Sequence, residues 1–178
     1  MTEKKRLNPE ELAKYFKDEF KTSIKDLKIK EKVAGLQKNK ANSIWIKVDS
    51  NIFKQVVKHL IDLQYPHLAV TSGNDLGKVI ELIYHFTLYY EDRIGEIAIN
   101  ISVELPKSKP EIDSICDLIP GALVTEREKM EFLGVKFKGI PDERRLFVPE
   151  DIPKDVYPWR RDETGPNKFY KNLHEVKK

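Results

Sequence analysis

Few residues in this chain have the types and spacing that chemistry needs. His59, His67, His85 and His174 are scattered, and Cys116 is the one cysteine, so none joins a cluster at metal-ligand spacing. No GxGxxG, GxxxxGKS/T or GxSxG pattern occurs. The stretch TSGNDLGK at 71–78 has two glycines and a lysine, but its spacing is wrong for a phosphate-cradling loop, and it reads as a turn. Glu126 and Glu128 have the chemistry of an acid–base pair, yet residues two apart on a helix point to different sides. Arg127 and Glu131 are better placed at i,i+4, where a surface ion pair is worth about 0.3–0.5 kcal/mol. His59 on a helix and His85 on a strand read as structural or surface residues. Cys116 cannot form an internal disulfide, which fits a reducing compartment, and reads as a buried, inert thiol.

The informative pattern is where the cations lie. Five of the seven arginines, Arg127, Arg144, Arg145, Arg160 and Arg161, fall between Glu126 and Glu163, whereas most lysines lie elsewhere. Arginine's planar fork suits bidentate, partly buried pairing with carboxylates. Here arginines alternate with Glu126, Glu128, Asp142, Glu143 and Asp162, amid prolines and Phe132, Phe137, Phe147, Tyr157 and Trp159. Disordered charged tails lack large aromatics, whereas interfaces are rich in arginine and aromatics. The stretch therefore reads as an ordered arm laid on something: a partner, or its own domain through internal pairs.

The rest of the chain must position that arm. At 178 residues and 40% hydrophobic content it suits one core with extensions. A net charge of +3 is too diffuse to mark a nucleic-acid binder. The start, MTEKKRLNPEE, lacks the apolar core of a signal peptide, and no apolar run approaches the ~20 residues that span a bilayer. Charged residues at 34%, mostly Lys and Glu, lean towards a thermophilic source.

NPEELAKYFKDEF starts a helix, with Asn8 as cap, Pro9 in the first turn and Leu12, Phe16 and Phe20 as its apolar stripe. DLKIKEKV and SIWIKV alternate as strands, the second with Ile44, Ile46 and Val48 on one face. Ile52, Phe53, Val56, Val57, Leu60 and Ile61 give a helix over 51–63. HLAV is a short strand ending at a TSGND turn. KVIELIYHFTLYY and GEIAINISVEL are long strands joined by EDRIG as an antiparallel hairpin. Their Ile80, Leu82, Tyr84, Phe86, Leu88 and Tyr90 face the core, while Glu81, His85, Asn100 and Ser102 face the other way. The expected class is α+β: a mainly antiparallel sheet with helices on one face. Two short helices follow, broken at Pro120-Gly121, with Thr125 and Glu128 at capping-box spacing and Gly134 ending the second. VKF is a short strand, and an extended Pro/Arg-rich arm comes last. The expected units are 1–105, 106–163 and a tail at 164–178.

SICDLIPGALVTEREKMEFLGVKFKGIPDERRLFVPED resembles the hallmark region of the 30-kDa-type subunit of respiratory complex I. The family pattern is Asp, Pro-x-Ala, Glu-Arg-Glu-x-x-Asp-Met-Phe-Gly-Ile and Gly-His-Pro-Asp-Leu-Arg-Arg. Matching positions are Asp117, Pro120, Ala122, Glu126, Arg127, Glu128, Gly134, Gly139, Pro141, Asp142, Arg144 and Arg145. YPWRRD keeps Pro158, Arg160 and Asp162 of a later His-Pro-Leu-Arg-Lys-Asp. The match covers about 50 residues. Val124 stands for a usual Trp, Glu131 for Asp, Leu133 for an aromatic, and Ile140 and Tyr157 for histidines. These departures resemble the versions in archaeal complex-I-related assemblies, the membrane-bound nickel–iron hydrogenases and the sulfane-sulfur reductase.

The resemblance implies a cofactor-less subunit in the peripheral arm of an ion-translocating membrane-bound oxidoreductase, on the cytoplasmic face. Its implied partners are the large, hydrogenase-like catalytic subunit and the small iron–sulfur subunit. Iron–sulfur clusters and any nickel–iron centre belong to those partners, and membrane subunits are reached indirectly. The expected contact residues are Glu126, Arg127, Glu128, Glu131, Asp142, Arg144, Arg145, Pro158, Trp159, Arg160, Arg161 and Asp162. Asp117, Pro120, Gly134, Gly139 and Pro141 are expected to shape the signature. Two alternatives stand beside this. One is the corresponding 30-kDa-type subunit of a quinone-linked NADH or ferredoxin dehydrogenase. The other is a stand-alone nucleic-acid module stacking bases on Tyr84, Phe86, Tyr89 and Tyr90. An independent enzyme would need turnover by the chain alone.

Overall fold

The structure, a computed structural model, describes residues 6–34, 39–91 and 95–166. The expected hairpin turn at 91–95, His174 and most of the tail lie wholly or partly outside them. Asn8 caps the first helix, α1 (Pro9–Phe20), with a reciprocal box: its Oδ1 accepts from the Glu11 N–H at 2.8 Å, and Glu11 Oε2 accepts from the Asn8 N–H at 2.9 Å. Leu12 and Phe16 are fully buried beneath it. β1 (Ile24–Ala34) and β2 (Asn39–Val48) form an antiparallel pair. α2 (Ser50–Leu63) then leads to β3 (His67–Asp75), β4 (Val79–Leu88) and β5 (Ile97–Pro106).

The sheet order is β1-β2-β5-β4-β3, antiparallel except for the parallel β2–β5 pair. A mainly antiparallel α+β fold is what the alternating strands predicted. Ile80, Leu82, Tyr84, Phe86 and Leu88 are buried on one face, beside Phe53, Val56, Val57 and Leu60 of α2. On the other face His85 Nδ1 meets Asn100 Oδ1 at 2.6 Å and its Nε2 meets Ser72 Oγ at 2.9 Å, while Ser102 donates to Glu81 at 2.8 Å. Tyr90 does not continue the core face. β4 ends at Leu88, Tyr89 turns with φ 58°, and Tyr90 is 44% exposed.

TSGND is strand, not turn. Thr71, Gly73 and Asp75 pair with Tyr84, Leu82 and Ile80, and the chain reverses only at 76–78, where Gly77 has φ 88°. Gly73 is there for close approach: a Cβ would lie 2.5 Å from Leu133 Cδ1 on the helix that crosses β3.

The two expected short helices reduce to one, α3 (Ala122–Leu133). The residues before it form β6 (Glu111–Asp113), parallel to β7 (Lys136–Lys138), and then turns. At 114–116 the backbone N–H groups are tied to other parts of the chain: Ser114 donates to the Lys138 carbonyl, Ile115 to Glu126, and Cys116 to Ser114 Oγ. Thr125 is not a cap either. It sits in the first turn of α3, donating to the Ala122 carbonyl at 3.1 Å. Gly134 does end the helix, in the left-handed region at φ 68°. The arm from Gly139 to Gly165 contains turns and bends but neither helix nor strand. One hydrophobic core runs from Leu12 through to Ile140.

Candidate functional site

α3 carries the signature residues and presents two faces. Glu126 points inward and is fully buried. Its carboxylate accepts from Ser114 Oγ at 2.6 Å, the Ile115 N–H at 3.1 Å, Cys116 Sγ at 3.3 Å and the Tyr84 hydroxyl at 3.4 Å. Burial pushes its pKa up, and the donors oppose that shift. Burial likewise lifts the Cys116 thiol to about 11, with the neighbouring carboxylate adding to it. Glu126 was expected at a partner interface; with no exposed surface it instead ties the 114–116 turn to α3 and β4. The neighbour that sequence reasoning missed is Lys129, only 2% exposed. Its ammonium pairs with Glu128 and lies 4.8 Å over the Trp159 ring. No periodicity marks it, because a lysine on a helix reads as surface by default.

The outer face of α3 fastens the arm. Arg127 does not pair with Glu131. Its guanidinium donates to the Arg144 carbonyl at 2.9 and 2.6 Å and to the Arg145 carbonyl at 3.1 Å, and meets Asp142 at 3.2 Å. Glu131 accepts from the N–H groups of Leu146 and Phe147. Arg145 donates to the carbonyls of Pro149 and Ile152, closing a loop within the arm. Further on, the Trp159 N–H donates to the Phe132 carbonyl, and Arg160 donates to the Leu133 carbonyl at 2.8 Å while lying over the Tyr157 ring. These donations satisfy the last carbonyls of α3.

A partly buried charge cluster anchors the arm's far end. Lys107 bridges Asp75 at 2.6 Å and Asp162 at 2.5 Å, and the Arg161 N–H donates to Asp75 at 2.8 Å. Burial alone would raise the Asp162 carboxyl. Lys107 and the Thr164 hydroxyl and N–H outweigh it and hold it at about 2. Burial opposes the charged form of Asp75 too, and is outweighed by Lys107 and the N–H groups of Arg161 and Gly77, which hold that carboxyl below its ordinary value. Asp142 lies well below the carboxylate range because Arg144 donates to it, with Arg127 adding charge.

What remains outward is narrower than the expected set. The Arg144 side chain is 85% exposed despite its bond to Asp142, and Arg161 is exposed. Phe132 stacks on Trp159 at 4.7 Å and on Phe147 at 5.9 Å. Phe147 and Trp159 are 54% and 42% exposed, and Val124 and Leu146 are also exposed. Pro158 is half-buried. Of the signature positions, Asp117 pairs with Lys54 at 2.8 Å, Pro120 and Pro141 lie at the surface, and Gly139 turns with φ 79°. Among the described residues no three His, Cys, Asp or Glu groups come together to hold a metal ion, and no helix is long and apolar enough to cross a membrane.

Known proteins share both sequence and architecture with this chain. The family model of the respiratory-chain NADH dehydrogenase 30 kDa subunit matches residues 46–168. The chain is 34% identical over 131 residues to membrane-bound hydrogenase subunit beta of Pyrococcus furiosus, covering 72% of this chain and 75% of that one. It is 32% identical over 130 residues to a subunit of the F(420)H(2) dehydrogenase of Methanosarcina mazei, covering 71% and 79%. Formate hydrogenlyase subunit 5 of Escherichia coli is 35% identical over 124 residues, 68% of this chain but only 21% of that longer protein. In architecture it is similar to a chain of the archaeal membrane-bound sulfane sulfur reductase, with TM-score 0.65 at 19% identity over 92% of this chain and 86% of that one. These relatives are subunits of larger assemblies; the Pyrococcus furiosus hydrogenase is membrane-bound, and the sulfane sulfur reductase is an archaeal respiratory membrane complex. With its Asp117–Asp162 signature laid out along α3 and the arm, this chain belongs to the family of the respiratory-chain NADH dehydrogenase 30 kDa subunit.

Proposed function

We propose that this chain is a peripheral subunit of a complex-I-related, ion-translocating membrane oxidoreductase of the hydrogenase or sulfane-sulfur reductase type. It packs on the large catalytic subunit, beside the small iron–sulfur subunit, on the cytoplasmic face. It contributes no redox centre; the iron–sulfur clusters, and nickel–iron where present, belong to its partners. The observation that carries this reading is the internally fastened arm. Arg127, Glu131, Arg145 and Arg160 spend their hydrogen bonds holding the arm's own backbone and the end of α3. The stacked Phe132, Phe147 and Trp159 and the Arg144 guanidinium are thereby presented outward in one fixed arrangement. A face ordered before binding loses less entropy on association, and exposed aromatics beside arginine are what interface centres are made of.

The test is a mild-detergent pull-down of the tagged chain from its native membranes, with mass spectrometry of co-purifying chains and nickel and iron measured on the same sample. Iron–sulfur and multi-span membrane partners with nickel identify a hydrogenase complex. The same partners without nickel identify a sulfur reductase or a quinone-linked dehydrogenase. A chain that elutes alone and monomeric refutes the proposal.

A further inference from the structure

The arm and the end of α3 enclose an open cleft of about 450 Å³ that the fastening bonds do not fill. Its apolar lining includes Val148, Val156 and Tyr157 from the arm, together with Met130 and Val135. Four cations line it: Lys136, Arg144, Arg145 and Lys154, against the two carboxylates Glu131 and Glu143. Glu131 is already occupied by the N–H groups of Leu146 and Phe147. Asp142 answers Arg144, and the nearest Glu111 oxygen is 3.8 Å from Lys136, whose side chain stays 68% exposed. Lys154 is exposed. Within the lining itself the four cations outnumber the two carboxylates, over an apolar floor.

We infer that this cleft docks an acidic segment of another subunit, carboxylates on the cationic rim and an apolar side chain on the lining. The inference rests on the subunit reading above. Charge selects the occupant. The segment NKFYKNLHEVKK at 167–178 carries four lysines and one glutamate, which makes it the wrong charge for a cationic rim. A second copy, with net charge +3, is likewise disfavoured. Complementary charge steers association, and like charge in contact opposes it. Arg144 borders both the cleft and the stacked aromatic face, whereas Lys136 and Lys154 line the cleft alone, so substitution of the two lysines separates the contacts.

The test uses the intact complex isolated from membranes and a zero-length carbodiimide, which couples an ammonium only to a carboxylate in contact with it. Mass spectrometry then locates the links. The expected result is links from Lys136 or Lys154 to Asp or Glu of a different subunit. The double variant Lys136→Glu with Lys154→Glu is expected to melt like wild type and to retain its partner about tenfold less well or worse. An intact complex in which these lysines link to nothing, only to carboxylates of the same chain such as Glu111, or to a second copy overturns the inference and leaves the subunit reading standing. So does a correctly folded double variant that co-purifies normally. A wild-type chain recovered without partners overturns the subunit reading itself and the docking inference with it.

Discussion

The guanidinium of Arg127 holds the backbone of Arg144 and not its side chain. Two of its nitrogens donate to the Arg144 carbonyl at 2.9 and 2.6 Å, while the Arg144 side chain turns outward and is 85% exposed. Two arginines of one signature thus have opposite tasks. The inner one fixes the arm, and the outer one, held only by Asp142, faces solvent.

Arg127→Ala and Arg144→Ala are therefore expected to fail differently. The first leaves the Arg144 and Arg145 carbonyls without their donor and takes one of two guanidinium partners from Asp142, and it should lower the melting temperature by several degrees, for a loss of about 1.5–3 kcal/mol. Arg144→Ala should leave the melting temperature within about 2 °C of wild type, as surface substitutions do, yet weaken retention in the complex. Thermal melts run beside co-purification stoichiometry check both. Equal melts for the two variants would contradict this division of labour.

Gly134→Ala tests the junction between α3 and the arm. The residue has φ 68°, and a Cβ would lie 2.6–2.9 Å from the Tyr157 ring. The left-handed backbone costs about 1–2 kcal/mol for a non-glycine residue, before any cost of displacing the ring. The double variant Gly134→Ala with Tyr157→Ala should recover the part due to the clash and not the part due to backbone. Denaturant unfolding of the two variants separates them.

The Lys107 cluster predicts an acid limb. The folded Asp162 carboxyl, at about 2, lies below its unfolded value near 3.9, so the folded state binds that proton less tightly. Its stabilisation is present above about pH 4 and is lost as pH falls towards about 2. Asp75 contributes in the same direction. Asp162→Asn should lower stability at neutral pH by roughly 1.5–3 kcal/mol and flatten the decline between about pH 4 and 2. Melting temperature against pH for both proteins gives the slope directly.

Glu126 runs the other way. Its folded pKa is raised by burial, so the fold holds that proton more tightly than the unfolded chain does, and stability declines as pH rises from the unfolded value through the raised one. Glu126→Gln keeps the volume but turns an amide donor towards a site already filled by donors from Ser114, Ile115, Cys116 and Tyr84. A loss of about 1–3 kcal/mol is expected. Cys116 should become more reactive towards a thiol reagent in the native state, because the turn that buries it is held by this carboxylate. Unchanged thiol kinetics would show that the turn is held by other contacts.

Much of this was legible in the chain itself. Period-two alternation placed β4 and β5, the Asn8 cap and apolar spacing placed α1 and α2, and Gly134 marked the end of α3. Each of those signals is local, written within one element by its own neighbours. The order and types of residues from Asp117 to Asp162 likewise sufficed to indicate the family. Tertiary structure alone decided what faces where. Glu126 and Arg127 are adjacent in sequence, yet one is sealed under the sheet and the other grips the arm. Lys129 is buried where Glu128 and Trp159 meet it, and β3 carries a glycine at Gly73 where α3 crosses. A side chain's partner comes from another part of the chain, and no spacing within one segment can specify it.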